Sequence, residues 1–191
     1  MNLRNIFQLK SKSSGFTLIE LVVSIGILAV ISVGVLTILN PMEQIKKAND
    51  AKRKADLAQI QRVLEGFYQD NGRYPYSTDP SDPSLCGNSN PCPNYRIVSL
   101  AADNPVRDWG TSFQPYINAL PKDSNSSYSY VYYSPASSNG QTYYLYASLE
   151  RGGKDPSTCY PGSNNNLKCA NAPASCGGVC NYGVSSPNTN P

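Results

Sequence analysis

Histidine is absent from this sequence of 191 residues, and so are several motifs on which enzymes depend. Without His the chain loses the commonest general base and the commonest metal ligand. It also has no Gly-x-Ser-x-Gly nucleophile motif and no glycine-rich phosphate loop. These absences argue against a catalytic function.

Acidic residues are missing from the first 15 positions, which contain the basic residues Arg4, Lys10 and Lys12. The whole chain has 16 basic and 13 acidic residues, so 13 of each remain without that segment. A chain of balanced charge gives no reason to expect nucleic-acid binding.

A long apolar run occupies residues 16–39, with Glu20 as its single charge. As a helix it would measure about 36 Å, enough to cross a bilayer. A secretory signal peptide fits poorly, because its apolar region is shorter and ends at a small-residue cleavage site. A simple signal anchor fits the length but does not explain an acid within hydrocarbon. The basic flank predicts a cytoplasmic N-terminus, with the bulk of the chain outside.

The junction before this run is specific: residues 14–20 read SGFTLIE and resemble the cleavage and methylation motif of prepilins. The resemblance, to type IV pilins and type II secretion pseudopilins, implies processing by a prepilin peptidase/methyltransferase. That enzyme would cut after Gly15 and N-methylate Phe16. In the same family an acid at the position of Glu20 is needed for assembly.

The helix is expected to continue beyond the apolar run, to about residue 71. Asn40-Pro41 disfavours helix locally, and related pilins unwind near here, so the interval 34–41 is the expected weak point. Apolar residues at threes and fours follow. Gly72 suits a left-handed cap and Pro75 prevents continuation. Residues 70–75, DNGRYP, resemble the segment that ends this helix in major pseudopilins.

A basic cluster lies early in this second half of the helix. Its members are Lys46, Lys47, Lys52, Arg53 and Lys54. DNA binding is one interpretation, but a solvated helix face balanced by Glu43, Asp50 and Asp56 is favoured, because a nucleic-acid footprint usually dominates the net charge.

Two runs with strand composition, at residues 128–134 and 142–149, predict an antiparallel hairpin with Asn139-Gly140 in its loop. A short helix is predicted before it, over residues 111–120. Alternation divides the hairpin into two faces. The set expected to face the helix is Val131, Tyr133, Tyr143, Leu145, Ala147 and Leu149. The set expected to face away is Tyr128, Tyr130, Tyr132, Tyr144 and Tyr146. This second face is interpreted as packing beneath loops or the Cys-rich tail, with a contact to neighbouring subunits or a carbohydrate as the alternative.

Six cysteines, an even number in a loop-rich region, predict disulfides formed outside the cytoplasm. Cys86 and Cys92 are close enough in sequence to close a small loop. The other four then allow three connectivities: Cys159, Cys169, Cys176 and Cys180. A zinc site is disfavoured, because there is neither a Cys-x-x-Cys pair nor His.

No cofactor is predicted. Major pseudopilins often bind calcium, but the loop acids Asp103, Asp108 and Asp123 show no recognisable ligand spacing. Asn125-Ser126-Ser127 matches the N-glycosylation pattern, whose use depends on the host.

The predicted fold is α+β, a long N-terminal helix packed on a small antiparallel sheet with disulfide-bonded loops. The predicted division is a leader at 1–15, a transmembrane and assembly helix at 16–39, an amphipathic half at 40–74, a loop-rich connector at 75–127, a β-hairpin at 128–150 and a Cys-rich region at 151–191 with a disordered tail from 184.

The predicted function is a structural subunit of a type IV pilus-like filament for secretion, motility, adhesion or DNA uptake. The alternative is a minor, adhesin-like pilin whose Tyr- and Cys-rich head binds a surface ligand. The resemblance implies four partners: the peptidase, like subunits, an inner-membrane assembly platform and, before assembly, the bilayer. The chain would be a single-pass membrane protein with a cytoplasmic N-terminus and would then join an extracytoplasmic filament.

Overall fold

A computed structural model of the chain describes residues 15–81, 84, 86, 92–98, 105–159, 169, 172–187 and 189. It forms two compact units, the first ending at Met42 and the second beginning at Glu43. The leader residues Arg4, Lys10 and Lys12 and the loop acid Asp103 lie outside the described residues.

Two helices replace the single helix expected over residues 16–71. Helix α1 spans Leu18–Leu39 and helix α2 spans Pro41–Asn71. Asn40 between them has a left-handed backbone, with φ of 38°, a conformation that Asn adopts more readily than most residues. Pro41 then occupies the first helical position, where no backbone N–H is needed. The break falls within the interval 34–41, but it is a single residue and Gly34 remains helical.

Helix α2 lies mostly in the second unit, here called the head. It packs one face against the rest of that unit and ends where the sequence indicates. Its apolar face is buried through Leu57, Ile60, Val63, Leu64 and Phe67. Gly72 follows with φ of 70°, and its N–H donates to the Tyr68 carbonyl at 2.8 Å. The predicted stop at Asn71-Gly72 is therefore confirmed.

A three-stranded antiparallel sheet lies in the segment expected to be a loop-rich connector. Its strands are β1 (Tyr76–Ser77), β2 (Ile97–Val98) and β3 (Val106–Arg107), in that order. Strands of two residues leave almost no periodic signal, so the sequence did not indicate them. The helix expected at residues 111–120 is absent. Phe113 and Ile117 instead exchange backbone hydrogen bonds of 3.1 and 3.0 Å across a turn that contains Pro115.

The second sheet contains the predicted hairpin and one further strand. Strands β4 (Val131–Tyr133) and β5 (Tyr144–Ala147) pair antiparallel, and β6 (Tyr182–Ser185) adds to the far side of β5. The expectation of disorder from residue 184 is thus wrong for Val184 and Ser185. They pair with Leu145 and Tyr144, so backbone pairing orders a segment whose composition alone gives little reason for a strand.

The face assignment was right for β5 and wrong for β4. Tyr132 lies opposite Leu145, and Val131 lies opposite Tyr146. Tyr130 and Tyr132 therefore enter the core beside α2 with Tyr143, Leu145 and Ala147. A shift of one residue exchanges the two faces of a strand. Because β4 carries Tyr on both faces, alternation in the sequence does not decide which face is buried against α2.

Hydrogen bonds from the tyrosine hydroxyls explain why these rings can occupy the core. Tyr130 donates to Asp56 at 2.6 Å, Tyr143 to Glu65 at 3.1 Å, and Tyr132 to a backbone carbonyl at 2.6 Å. Burial and the hydrogen bond to Asp56 raise the pKa of Tyr130, so this hydroxyl keeps its proton. Each ring thus buries its apolar body while the hydroxyl keeps a partner.

The opposite face of the second sheet lies under the Cys-rich region. Val131 and Tyr146 pack with Cys169, Cys176 and Cys180. This supports packing beneath the tail over an open aromatic surface. Three disulfides connect neighbours in sequence: Cys86–Cys92, Cys159–Cys169 and Cys176–Cys180. The predicted disulfide framework is present, including the pair singled out from the sequence.

Candidate functional site

The start of α1 holds the residues of the prepilin-like junction. Gly15, Phe16 and Thr17 precede the helix, and Phe16 is 83% exposed. A Cβ built on Gly15 would have no heavy atom within 4 Å among its non-neighbours. The Gly15–Phe16 bond therefore lies in a non-helical, exposed stretch immediately before a helix. Such a stretch is accessible to a peptidase.

Thr17 and Glu20 close a capping box at this helix end. The Thr17 hydroxyl oxygen accepts from the Glu20 backbone N–H at 3.3 Å. Glu20 Oε2 accepts from the Thr17 backbone N–H at 2.8 Å and from the Thr17 hydroxyl at 2.7 Å. These bonds satisfy donors that a helix N-terminus leaves open. Glu20 thus has an intramolecular role within the single subunit.

The rest of α1 presents apolar side chains in every direction. Residues 18–35 are all exposed, and the window Leu18–Val35 has a mean hydropathy of 2.6. Its two serines, Ser24 and Ser32, donate to the carbonyls of Glu20 and Leu28, each at 2.7 Å, so their hydroxyls are satisfied within the helix. By length and composition α1 can cross a membrane. A helix apolar on all sides needs lipid or other helices around it.

A buried ion cluster connects α2 to both ends of the hairpin. Arg53 donates from Nε and Nη2 to Asp123 at 2.6 and 3.2 Å, from Nη2 to Glu150 at 2.9 Å, and from Nη1 to Asp50 at 3.1 Å. Asp50 also accepts the backbone N–H groups of Glu150 and Arg151, at 2.8 and 3.0 Å. Arg53, Asp50, Asp123 and Glu150 are called the Arg53 cluster below.

Charge complementarity keeps Arg53 ionised although its side chain is only 3% exposed. Burial alone would lower the pKa of its guanidinium. The hydrogen bonds and negative charges of Asp123 and Glu150 outweigh that effect and raise the pKa. One residue on the helix therefore anchors the loop before β4 and the turn after β5.

The expected solvated basic face is wrong for Arg53 and incomplete for its neighbours. Lys54 donates to Asp155 at 2.7 Å, and Lys46 lies 3.5 Å from Glu43. Lys47 and Lys52 are exposed. Basic side chains of this cluster are thus largely engaged with acids of the same head.

The sequence contains a signal for part of the Arg53 cluster. Asp50 and Arg53 continue the buried stripe of Leu57, Ile60 and Leu64 at spacings of three and four. Charged residues on an apolar face need partners. The sequence could therefore have marked this pair as buried. No comparable spacing pattern identifies their distant partners, Asp123 and Glu150.

Of the three loop acids considered for calcium, the structure describes Asp108 and Asp123, and both accept hydrogen bonds from arginines. Asp108 accepts from Arg96 at 2.7 Å, and Asp123 belongs to the Arg53 cluster. Within the part of the chain that the structure describes, no group of three or more His, Cys, Asp or Glu side chains has a metal-binding arrangement.

Comparisons with known proteins match both the junction and a longer part of the chain. The family described as the prokaryotic N-terminal methylation motif matches residues 10–36. The type II secretion system core protein G of Aeromonas hydrophila is 31% identical over 108 residues, covering 55% of this chain and 73% of that protein.

Two further relatives have the same name. The protein from Vibrio cholerae serotype O1 is 29% identical over 104 residues, covering 54% of this chain and 70% of its own length. The protein from Pectobacterium carotovorum is 32% identical over 106 residues, covering 54% and 66%. No solved structure matches the chain.

Proposed function

Because the chain belongs to the type IV pilin and type II secretion pseudopilin superfamily, whose members are structural and not enzymatic, we propose that it polymerises into an extracytoplasmic filament that serves protein secretion. The observation that carries this proposal is Glu20, a single acid on a helix that is otherwise apolar on all sides. The name of its relatives, type II secretion system core protein G, favours secretion over motility, adhesion or DNA uptake.

Processing comes before assembly in this proposal. The precursor sits in the bilayer through α1, with its basic leader in the cytoplasm and its head outside. A prepilin peptidase cuts between Gly15 and Phe16 and then methylates the new Phe16 amine. The exposed, non-helical junction supports this assignment. An inner-membrane assembly platform then moves the subunit from the bilayer into the filament.

Cleavage also supplies a charge partner for Glu20. The new amine at Phe16 is cationic, and it lies four residues before the Glu20 carboxylate, which Thr17 holds in the single subunit. In a growing filament the amine of one subunit can instead meet Glu20 of its neighbour. An ion pair in a medium of low dielectric is strong, and an unpaired charge there is costly. This pairing would set the axial position of each subunit, while the apolar surface of α1 supplies the packing.

An adhesin-like head would need its tyrosines at the surface. Of the five tyrosines expected to face away from the helix, Tyr130, Tyr132 and Tyr146 are each no more than 1% exposed. Burial gives them a structural role, which favours the filament subunit over the adhesin alternative.

Variants of Glu20 test the proposal in the native host. Glu20→Ala should insert, be cleaved and fold, yet be missing from sheared filaments. Glu20→Gln should be partly assembled, because it keeps hydrogen bonding without charge. Ser24→Ala is the matched control, since it alters a polar side chain one turn further along the same helix.

Mass spectrometry should show processed protein that begins at Phe16 with about 14 Da added by one methyl group.

Normal filament yield from Glu20→Ala, with cleavage intact, would disprove the assembly mechanism. An unprocessed chain containing Met1 in wild-type filaments would disprove the processing step.

A further inference from the structure

Asn125 lies in an exposed loop immediately before β4, here called the 124–127 loop. Asn125-Ser126-Ser127 matches the pattern Asn-x-Ser/Thr, with x other than Pro, and no other position of the sequence does. All four residues of the loop are exposed. The match therefore falls on a surface loop, where an oligosaccharide has room.

Both ends of the 124–127 loop are fixed to the head. At the upstream end, Asp123 is held by Arg53 at 2.6 Å and itself accepts the Asn125 backbone N–H at 2.9 Å. At the downstream end, the Ser129 N–H donates to the Cys176 carbonyl at 3.0 Å. The loop is thus a defined projection and not a long flexible tether.

Within the loop, the Asn125 side chain is turned towards Ser127. The Ser127 backbone N–H donates to Asn125 Oδ1 at 3.0 Å, and the Tyr128 N–H donates to the Asn125 backbone carbonyl at 3.0 Å. This arrangement is a side-chain turn of the kind that Asn commonly forms. Among the described residues no hydrogen bond involves Asn125 Nδ2, so the reacting atom of the carboxamide is accessible.

We propose that Asn125 is a site of N-linked glycosylation on the extracytoplasmic side of the membrane. This inference rests on the proposed function, because it requires the head to leave the cytoplasm. The donor would be an oligosaccharide linked through phosphate to a polyprenyl lipid, and a membrane-bound transferase would catalyse the reaction.

The transfer is a substitution at the anomeric carbon of the first sugar. Asn125 Nδ2 forms a bond to that carbon, while the bond from the carbon to the phosphate oxygen breaks. The lipid phosphate leaves with the electron pair of that bond, and one carboxamide proton passes to a base on the transferase. No oxidant or reductant is needed.

A tryptic digest isolates the site cleanly. Trypsin cuts after Lys122 and Arg151, and the peptide between them contains no other Lys or Arg, no Cys and only this one Asn-x-Ser pattern. Wild-type protein purified from its own host should yield this peptide with the added mass of a glycan. Fragmentation should place that mass on Asn125.

Three variants separate the motif from its surroundings. Asn125→Gln and Ser127→Ala should each give the peptide without added mass, whereas Ser126→Ala, an exposed neighbour outside the recognised positions, should keep the glycan. A wild-type peptide at its unmodified mass would overturn the proposal, as would a glycan retained in Ser127→Ala.

The same digest reports the N-terminus, so the two failures are distinguishable. An unmodified Asn125 in a chain that begins at Phe16 overturns the glycosylation site alone. An unmodified Asn125 in a chain that keeps Met1 overturns both the glycosylation site and the proposed processing.

Discussion

Replacing Arg53 by Met removes the guanidinium of the Arg53 cluster but keeps a side chain of similar reach. Four hydrogen bonds disappear, and Asp50, Asp123 and Glu150 remain together without their cation. Breaking a buried ion pair by removing one partner costs about 3–5 kcal/mol, because the remaining charge stays buried and uncompensated. We expect the free energy of unfolding of the head to fall by about that amount.

Urea unfolding of the processed protein in detergent measures this loss. Urea lowers the free energy of unfolding of a domain of this size by about 2 kcal/mol per molar, so the midpoint should fall by about 2 M. Near-ultraviolet circular dichroism follows the transition through Trp109 and the buried tyrosines. Lys47→Met is the matched control on an exposed face of the same helix, and it should change the free energy by less than about 0.5 kcal/mol.

Two companion variants establish the mechanism. Arg53→Lys keeps the charge but loses the planar fork, so its cost should lie between those of the wild type and Arg53→Met. In the double variant Arg53→Met/Asp123→Asn, the loss should be smaller than the sum of the two single losses. A loss below about 1 kcal/mol for Arg53→Met would refute the anchoring role of the cluster.

Two further predictions concern the disulfides and acid stability. Alkylation of denatured, unreduced protein should label no thiols, and peptide mapping should return the three pairs Cys86–Cys92, Cys159–Cys169 and Cys176–Cys180; six labelled thiols would refute the framework. Although burial alone would raise it, the pKa of Asp155 is lowered by hydrogen bonds from Lys54 and the Ser157 N–H. As the pH falls, Asp155 is therefore protonated in the unfolded chain before it is protonated in the folded chain. The stability that Asp155 contributes is complete above the ordinary Asp pKa of 3.8 and is lost as the pH falls below it. In Lys54→Met, stability should therefore fall less steeply as the pH is lowered, in an acid titration followed by circular dichroism. A titration unchanged from that of the wild type would count against this account.

Local patterns predicted those parts of the fold that depend on local forces. The apolar run, the Asn71-Gly72 stop and the hairpin around Asn139-Gly140 each depend on residues a few positions apart. The facing of β4 does not, because Tyr residues occupy both of its sides and only their distant partners decide which side is buried. Strand β6 likewise depends on β5, which precedes it by more than 30 residues.

The same limit applies to the sites. SGFTLIE identifies the processing junction because one enzyme must recognise it as a contiguous segment, whereas the Arg53 cluster is assembled from residues up to 100 positions apart. The spacing within α2 predicts that Arg53 is buried, but nothing in the sequence near Asp123 or Glu150 indicates that Arg53 is their partner.

Two tyrosines that reach from the sheet to α2 require the sheet and this helix to be inherited together. Tyr130 and Tyr143 immediately precede strands β4 and β5, and their hydroxyls donate to carboxylates of the helix, Asp56 and Glu65. A tyrosine side chain has a fixed length, so it sets the gap between sheet and helix and also the point along the helix where the sheet rests. A recombination event that joined this sheet to the helix of another relative would leave both tyrosine hydroxyls without their carboxylate partners. The unit that can be exchanged between such proteins therefore begins at the latest before Asp56, within α2.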